Sequence, residues 1–260
     1  MSKTRPVADR VVLVTRPQHQ SAELIQLIEQ AGATALAMPS IEIQGVAIDE
    51  PLEKQLRSIN RYDQVIFISA NAVHYAVGLL QSLEIQPASI HTAVAVIGKA
   101  TREAAEKAGI SVRIQAAQGF NSAALLALPE LQQLKDKRIL LIRGEGGLEV
   151  LADELSRRGA NVDYAEVYRR CIPVFDSGLN RQQLSQQWSQ YAPTDILVSS
   201  NESLQNLYDM LEPPGQQEML KARLIVPSQR CLELGHRLGF ECINQAQSAL
   251  NEHMLGALLN

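Results

Sequence analysis

Short polar turns follow several apolar runs of the sequence, and their side chains are the candidates for chemistry. The turns carry hydroxyl and amide groups, glycines and arginines, and most of them precede a stretch with helical spacing. Free backbone N–H groups and the partial positive charge of a helix start favour anionic oxygens at such a turn. If the chain has an anionic ligand, these turns are the places where we expect it to bind. The candidate residues are Arg16, Ser69, Asn71, Gly98, Thr101, Arg143, Gly144, Ser199, Ser200, Asn201, Pro227, Ser228 and Arg230.

These residues also have structural interpretations. Serine, threonine and asparagine at a helix start commonly cap the helix. Arg16 and Arg143 stand at strand ends, where a salt bridge between domains is at least as good an explanation as a ligand contact. Tyr168 lies in an extended segment, in which an aromatic residue is ordinarily a good β-former and nothing more. Position alone therefore leaves ligand binding and structural roles open.

Motifs of familiar enzyme classes are missing from the sequence. Gly144 and Gly146 begin a G-x-G-x-x-G fingerprint, but Glu149 occupies the third glycine position, which disfavours a dinucleotide site. Gly98 and Lys99 lack the upstream glycine of a P-loop. The five histidines show no metal-ligand spacing such as HExxH, and no GxSxG nucleophile elbow occurs. The motifs indicate neither a metal site nor a nucleophile–base pair.

Composition narrows the function classes. The 260 residues are enough for one large domain or two ordinary ones, and 46% of them are hydrophobic. A formal charge of −4 provides no basic field for nucleic acid. Three cysteines without CxxC spacing argue against a disulfide scaffold or a zinc knuckle. The N-terminal segment has no apolar signal core and no apolar run approaches ~18 residues, so we expect a soluble, cytoplasmic protein that binds no membrane.

An internal repeat is the strongest pattern in the sequence. Two segments each begin with an apolar run that ends in an arginine, Arg16 or Arg143. Each continues with helical spacing that stops at a Gly-Ala pair, which begins at Gly32 or Gly159. The two arginines and the two glycines share one offset along the chain, because 143 − 16 equals 159 − 32. Two landmarks at one offset indicate a duplicated unit.

The elements between these landmarks alternate between strands and helices. Val11–Val14 and Gln64–Ile68 are β-branched, apolar runs of the kind that parallel sheets bury on both faces. Helical spacing follows them, and short connections between such elements predict an α/β fold with parallel sheets. Two segments have the composition of polar connecting pieces: Asp176–Pro193 and Glu212–Gln217.

The order of the elements allows two domain partitions. The chain either forms tandem domains or crosses into a second domain and returns to complete the first. Sequence pattern does not decide between them. The extended segments Pro39–Val46 and Glu166–Pro173 occupy equivalent places in the repeat and favour the crossed arrangement, because they are suited to pair as a two-stranded linker.

Several segments together resemble the uroporphyrinogen-III synthases. They are the VTRP start, IFISANAV, VIGKATREAAEKAG, IRGEGG, the GA-x-V run that continues to VYR, and the late VSSN and IVPS turns. The resemblance spans nearly the whole chain. It implies two similar Rossmann-like or flavodoxin-like parallel-sheet domains, joined by a two-stranded linker, with the active site in a cleft between them. The implied bounds are 1–39 plus 173–260 for domain 1, 47–165 for domain 2, and 40–46 and 166–172 for the linker strands.

The same resemblance implies a function. The family cyclises hydroxymethylbilane with loss of water and inversion of the last pyrrole ring, which is a lyase reaction of tetrapyrrole (haem) biosynthesis. It implies no metal or organic cofactor, a polycarboxylate substrate as the partner, and a monomer. The family's catalytic tyrosine matches Tyr168, which would donate a proton as the ring-A hydroxyl leaves. A polycarboxylate substrate agrees with turns that present helix starts.

One turn departs from the family pattern, and other functions remain open. Where the family commonly has a Gly-Pro-Thr-Thr-like turn, this chain has Pro227–Arg230, so hydroxyl donors are partly replaced and Arg230 is suited to bind a carboxylate. A hinged, non-catalytic ligand-binding or sensor protein also fits two α/β lobes. A nucleotide-dependent oxidoreductase would need the full glycine fingerprint. Activity on hydroxymethylbilane separates the first function from the other two.

Overall fold

A computed structural model of the chain describes residues 6–116, 121–146, 149–173 and 181–260. The strands are β1 (Val11–Val14), β2 (Thr34–Ala37), β3 (Glu42–Gly45), β4 (Gln64–Phe67), β5 (Ala93–Val96), β6 (Val112–Ile114), β7 (Arg138–Gly144), β8 (Asn161–Cys171), β9 (Asp195–Leu197), β10 (Arg223–Val226) and β11 (Ile243–Gln245). The α-helices are α1 (Gln18–Gln30), α2 (Glu50–Arg57), α3 (Ala70–Ser82), α4 (Lys99–Lys107), α5 (Ser122–Leu126), α6 (Val150–Arg157), α7 (Arg181–Tyr191), α8 (Asn201–Asp209), α9 (Pro213–Met219), α10 (Gln229–Leu238) and α11 (Asn251–Leu259).

The chain divides into two compact units. Unit 1 comprises Met1–Glu42 and Cys171–Asn260, and unit 2 comprises Ile43–Arg170. The sheet of unit 1 has the strand order β11-β10-β9-β1-β2, and the other sheet has the order β3-β8-β7-β4-β5-β6. The predicted α/β class with two parallel sheets is confirmed. The segments 40–46 and 166–172, for which we expected linker strands, contain β3 and the second half of β8.

The repeat seen in the sequence reappears in the strand register. In unit 1, β1 pairs in parallel with β2 so that Val11 lies opposite Thr34. In unit 2, β7 pairs in parallel with β8 so that Arg138 lies opposite Asn161. The differences 138 − 11 and 161 − 34 are equal, and they match the offset found between Arg16 and Arg143. The two units are therefore copies of one strand–helix–strand arrangement at the level of backbone hydrogen bonds.

Helices cover both faces of each sheet because successive strand residues are apolar. In unit 1, Ile196 packs in one core with residues of α7, α8 and α10, whereas its neighbour Leu197 packs in another with α1 and α11. In unit 2, Leu140 packs with α2, α3 and α4, and Leu141 packs with α5 and α6. Strands buried on both faces leave the strand ends as the places where polar side chains gather. Among the described helices, none is long and apolar enough to cross a membrane.

Two segments that we predicted as polar connections contain helices, so those predictions are wrong. Most of Asp176–Pro193 is α7, although residues 176–180 lie outside the described part of the chain. Leu184 and Trp188 are 5% and 2% exposed and form a narrow apolar stripe at i, i+4 spacing, while most other positions of α7 are polar. Glu212–Gln217 forms the start of α9, which packs on α7. A stripe of two residues is too narrow to dominate the composition of its window.

One strand starts later than the sequence indicated. The residues Phe240–Ile243 predict a strand that follows the stop at Gly239, but β11 begins at Ile243. Phe240 instead closes the end of α10: its N–H donates to the carbonyl of Gly235, beyond Gly239 in the left-handed conformation. The side chain of Phe240 is buried, so it belongs to a helix-capping turn that fills the core.

Gly32 and Gly159 occupy equivalent positions of the repeat, and replacing each with alanine tests how their surroundings differ. Gly32 and Gly159 end α1 and α6 with φ of +95° and +92°; a Cβ at Gly32 would meet nothing within 4 Å, but at Gly159 it would lie 3.0 Å from Lys135 Cα. We expect Gly32→Ala to lower the free energy of unfolding by about 1 kcal/mol through backbone strain alone. Gly159→Ala should lower it by about 2–3 kcal/mol because backbone must also move.

Urea unfolding followed by far-UV circular dichroism measures both variants. Equal losses, or a larger loss for Gly32→Ala, would show that the contact of Gly159 with Lys135 does not constrain the chain.

Candidate functional site

The candidate residues gather at the carboxyl edge of each sheet. In unit 1, β10, β9 and β1 are neighbours, and Pro227–Arg230, Ser199–Asn201 and Arg16 follow their ends. In unit 2, β7, β4 and β5 are neighbours, and the same edge carries the remaining candidates. Since ligands of open parallel sheets bind at this edge, the structure forms two candidate groups, one in each unit. The members in unit 2 are Ser69, Asn71, Gly98, Thr101, Arg143 and Gly144.

A β-bulge brings Tyr168 into the group of unit 2. Arg143 of β7 lies opposite Glu166 of β8, but the next residue, Gly144, lies opposite Tyr168, so Val167 is an extra residue in the ladder. The side chains of Val167 and Tyr168 consequently belong to the same apolar core, which is the one formed with α3. Without the bulge, consecutive residues would face opposite sides of the sheet.

The phenol of Tyr168 contacts the start of α3. Its hydroxyl lies 3.2 Å from Ser69 Oγ, a hydrogen bond in which either hydroxyl can donate. Ser69 Oγ also accepts from the N–H of Ala72 at 3.1 Å and so caps α3. The ring stacks on Tyr75 with centroids 5.8 Å apart and an interplanar angle of 29°. Tyr168 is only 3% exposed, whereas Ser69 is half-buried.

Gly144 makes room for this ring. A Cβ at Gly144 would lie 2.5 Å from Cε2 and 2.6 Å from Cζ of Tyr168, closer than real side chains approach. The N–H of the next residue, Glu145, donates to the Tyr168 carbonyl at 2.8 Å and holds the two strands together. We predicted Gly144 as a ligand contact. In the structure it has a packing function, because it leaves space for the ring of Tyr168.

Helix capping is the observed contact of several other candidates. Ser200 Oγ accepts from the N–H of Ser203 at 3.1 Å and caps α8, and Ser228 caps α10 in the same way. Asn201 Nδ2 donates to the carbonyl of Arg230 at 3.3 Å and joins the starts of these two helices. The side chain of Arg230 is exposed. Gly98 precedes α4 without a side-chain cap.

The remaining candidates at the two edges differ in exposure. Asn71, Ser199 and Pro227 are half-buried. Thr101 is 4% exposed and lies in the first turn of α4. Gly147, the last residue of the IRGEGG segment, lies outside the described residues.

The two arginines of the repeat have partners inside their own units. Arg16 donates to Asn251 Oδ1 at 2.6 Å and to the carbonyl of Ala249, and burial lowers the pKa of its guanidinium. Arg143 is 7% exposed, pairs with Glu166 at 3.0 Å, and lies 4.2 Å above the ring of Tyr164. Both side chains therefore stabilise the carboxyl edge of a sheet.

A buried cluster of hydroxyl groups in unit 1 was not foreseen from the sequence. Thr15 Oγ1 lies 2.7 Å from Ser203 Oγ, which in turn lies 2.9 Å from Ser40 Oγ, and all three residues are 0% exposed. Thr15 also donates to the carbonyl of Leu197 at 2.9 Å, so the cluster is well hydrogen-bonded. The equivalent positions in unit 2 are 127 residues after Thr15 and Ser40 and, counted from the helix caps Ser69 and Ser200, 131 residues before Ser203; these positions are apolar. They are Ile142, Ala72 and Val167.

The described residues contain no group of three histidine, cysteine, aspartate or glutamate side chains that would hold a metal ion. The described residues of these edges offer hydroxyl groups, helix starts, arginines and one buried phenol.

Comparisons with known proteins match this chain along most of its length. A family model described as uroporphyrinogen-III synthase HemD matches residues 22–256. The uroporphyrinogen-III synthases of Salmonella typhimurium and Escherichia coli are each 32% identical to the chain, over 95% of it and 99% of their own length.

Solved structures share the fold. A mutant uroporphyrinogen III synthase from Thermus thermophilus has a TM-score of 0.62 at 15% identity, and covers 96% of this chain and 99% of its own. Uroporphyrinogen-III synthetase from Helicobacter pylori has the same TM-score and identity, with 96% and 98% covered. At such low identity, these likenesses concern the fold alone.

Gly144→Ala tests the packing of Tyr168. The new methyl group must displace the ring, so we expect the free energy of unfolding to fall by about 1–3 kcal/mol and the near-UV circular dichroism of tyrosine to change. Gly98→Ala is the matched control at the end of another strand, because its Cβ would meet only Thr101 Oγ1, at 3.8 Å. A Gly144→Ala variant as stable as Gly98→Ala, with an unchanged spectrum, would contradict the close approach.

Proposed function

Because the chain belongs to the uroporphyrinogen-III synthase family, we propose that it catalyses the cyclising dehydration of hydroxymethylbilane to uroporphyrinogen III. It is then a lyase of tetrapyrrole biosynthesis. The observation that supports this most strongly is 32% identity to a synthase over 95% of the chain. The membership favours an enzyme over a non-catalytic ligand-binding protein. One chain supplies both units, so we also propose that it acts as a monomer.

Tyr168 is the proton donor in this proposal. The C–O bond of the ring-A hydroxymethyl group breaks, and the phenol proton leaves with the hydroxide as water. The azafulvenium cation that remains is attacked by ring D to give a spiro intermediate, which fragments and recloses with ring D inverted. The proton lost on reclosure returns to the phenolate. Ser69 is the half-buried partner of the phenol hydroxyl, so we place the leaving group beside this pair.

Helix starts hold the carboxylates of the substrate. The first backbone N–H groups of a helix have no partner within the helix, and its partial positive charge favours carboxylate oxygens. The starts of α3 and α4 in unit 2, and of α8 and α10 in unit 1, carry the candidate turns. Arg230 in the first turn of α10 is exposed, and we propose that its guanidinium binds an acetate or propionate group. Holding the two ends of the substrate together favours the spiro path over direct closure.

A coupled assay tests the function. Freshly made hydroxymethylbilane is added to the protein, and the porphyrin isomers are separated after oxidation. We expect isomer III to predominate, because the uncatalysed closure gives isomer I. Isomer I alone, from a sample shown to be folded by circular dichroism, would overturn the proposed function.

Tyr168→Phe tests the proton donor. The ring keeps its packing and loses only the 3.2 Å hydroxyl contact with Ser69, so we expect kcat to fall about 100-fold with little change in stability. Tyr62→Phe is the matched control. Tyr62 is 5% exposed and donates to Asp163 Oδ2 at 2.8 Å, and burial raises its pKa to about 12.

Asp163 lies roughly 16 Å from Tyr168 along β8, so the control removes a buried phenol hydroxyl from the same unit away from the site. Tyr62→Phe should therefore leave kcat unchanged. Turnover by Tyr168→Phe equal to that of the control would remove Tyr168 from the mechanism.

A further inference from the structure

The ring of Tyr168 is supported by a second tyrosine that no sequence motif indicated. Tyr75 lies in α3, the helix that Ser69 caps, and its ring stacks on that of Tyr168 with centroids 5.8 Å apart. A single helix therefore contacts the phenol at two points, the hydroxyl through Ser69 and the ring through Tyr75. Tyr75 is half-buried and stands apart from the polar turn before α3.

Tyr75 is itself fixed by β3. Its hydroxyl donates to the carbonyl of Ile43 at 2.5 Å. A Cβ at Gly45 would lie 3.0 Å from Cδ1 of Tyr75, so the backbone of β3 also runs close beside the ring. The strand that carries Tyr168 and the strand that anchors Tyr75 are hydrogen-bonded neighbours, because β3 lies beside β8 in the sheet.

We propose that Tyr75 is a positioning residue that holds the phenol of Tyr168 in the orientation needed for proton donation. This inference rests on the proposed function, in which Tyr168 is the donor. The stacked ring restricts the tilt of the phenol, and the hydroxyl bond to Ile43 fixes the stacked ring in turn. Gly144 limits the space available to the phenol from β7. Small displacements of a reacting group slow catalysis steeply.

Tyr75 has no part in the proposed chemistry itself. Its hydroxyl is engaged by a backbone carbonyl, and its ring contacts the ring of Tyr168. Changes at Tyr75 should therefore lower kcat and leave KM nearly unchanged, and only while the phenol of Tyr168 is present.

Two substitutions separate the stack from its anchor. Tyr75→Leu removes the stacked ring, and we expect kcat for isomer III to fall about tenfold. Tyr75→Phe keeps the ring and loses the bond to Ile43, so we expect a fall of about threefold. KM should stay within about twofold of wild type in both variants. Tyr62→Phe, which removes a buried phenol hydroxyl elsewhere in unit 2, is the control and should leave kcat unchanged.

The deciding experiment places each substitution in the Tyr168→Phe background. If Tyr75 acts through the phenol, Tyr75→Leu with Tyr168→Phe should turn over at the rate of Tyr168→Phe alone, within about twofold. Equal losses in both backgrounds, a loss confined to KM, or no loss at all would overturn the proposal. If Tyr75→Leu does not fold, the same comparison is made with Tyr75→Phe.

The wild-type protein and the Tyr168→Phe variant show whether a negative result concerns Tyr75 or the proposed function. Wild-type protein that forms only isomer I overturns the function itself. Unchanged turnover by Tyr168→Phe overturns the proton donor and, with it, the assignment of Tyr75. The third case is a wild type that forms isomer III and a Tyr168→Phe variant that turns over slowly. If substitutions at Tyr75 then lower kcat equally in both backgrounds, only the assignment of Tyr75 as a positioning residue is overturned.

Discussion

Backbone hydrogen bonding between neighbouring parallel strands is the constraint on which both candidate groups depend. The register determines which strand ends share an edge, and the edge determines which helix starts face a ligand. In unit 1, Val14 lies opposite Leu197, and Leu197 opposite Ile225, so three strands end together. The same arrangement in unit 2 brings Ser69 close to the end of β7 and therefore to β8. The polar side chains add chemistry to an edge that the backbone has already formed.

The two units share this strand arrangement and differ in the side chains that lie behind the strand ends. In unit 1, the space behind the strand ends holds the hydroxyl cluster around Ser203, which ties β1, α8 and the segment after β2 together. In unit 2, Ala72 occupies the position equivalent to Ser203, and the polar contact is instead the hydrogen bond between the hydroxyls of Ser69 and Tyr168. Duplication has thus produced one edge with a fully satisfied, buried polar network and one edge with a phenol whose partner is half-buried.

Local signals in the sequence predicted much of the fold. Val11–Val14 and the stop at Gly32 follow from burial and from backbone preference, and both lie where expected. Features that depend on partners distant in sequence could not be predicted. They are the buried stripe of α7, the β-bulge at Val167, and the stacking of Tyr75 on Tyr168. The candidate turns were found because helix starts have a compositional signature. The position of Tyr168 in the sequence gave no reason to select it, and only the resemblance to a known family indicated a catalytic role.

The extra residue in β8 has a consequence for how relatives of this chain are compared. Side chains of a strand alternate between two faces, so the face that a residue occupies depends on whether an even or odd number of residues precedes it. Loss of Val167 would restore the regular ladder and leave the tyrosine opposite Gly144, whereas the same residues without the bulge would turn the phenol toward α5 and α6. A homologue with one residue fewer before its tyrosine would therefore present the phenol at this edge without a bulge. The number of residues before the tyrosine and the presence of the bulge, as well as residue identity, therefore determine which side of the sheet carries the phenol.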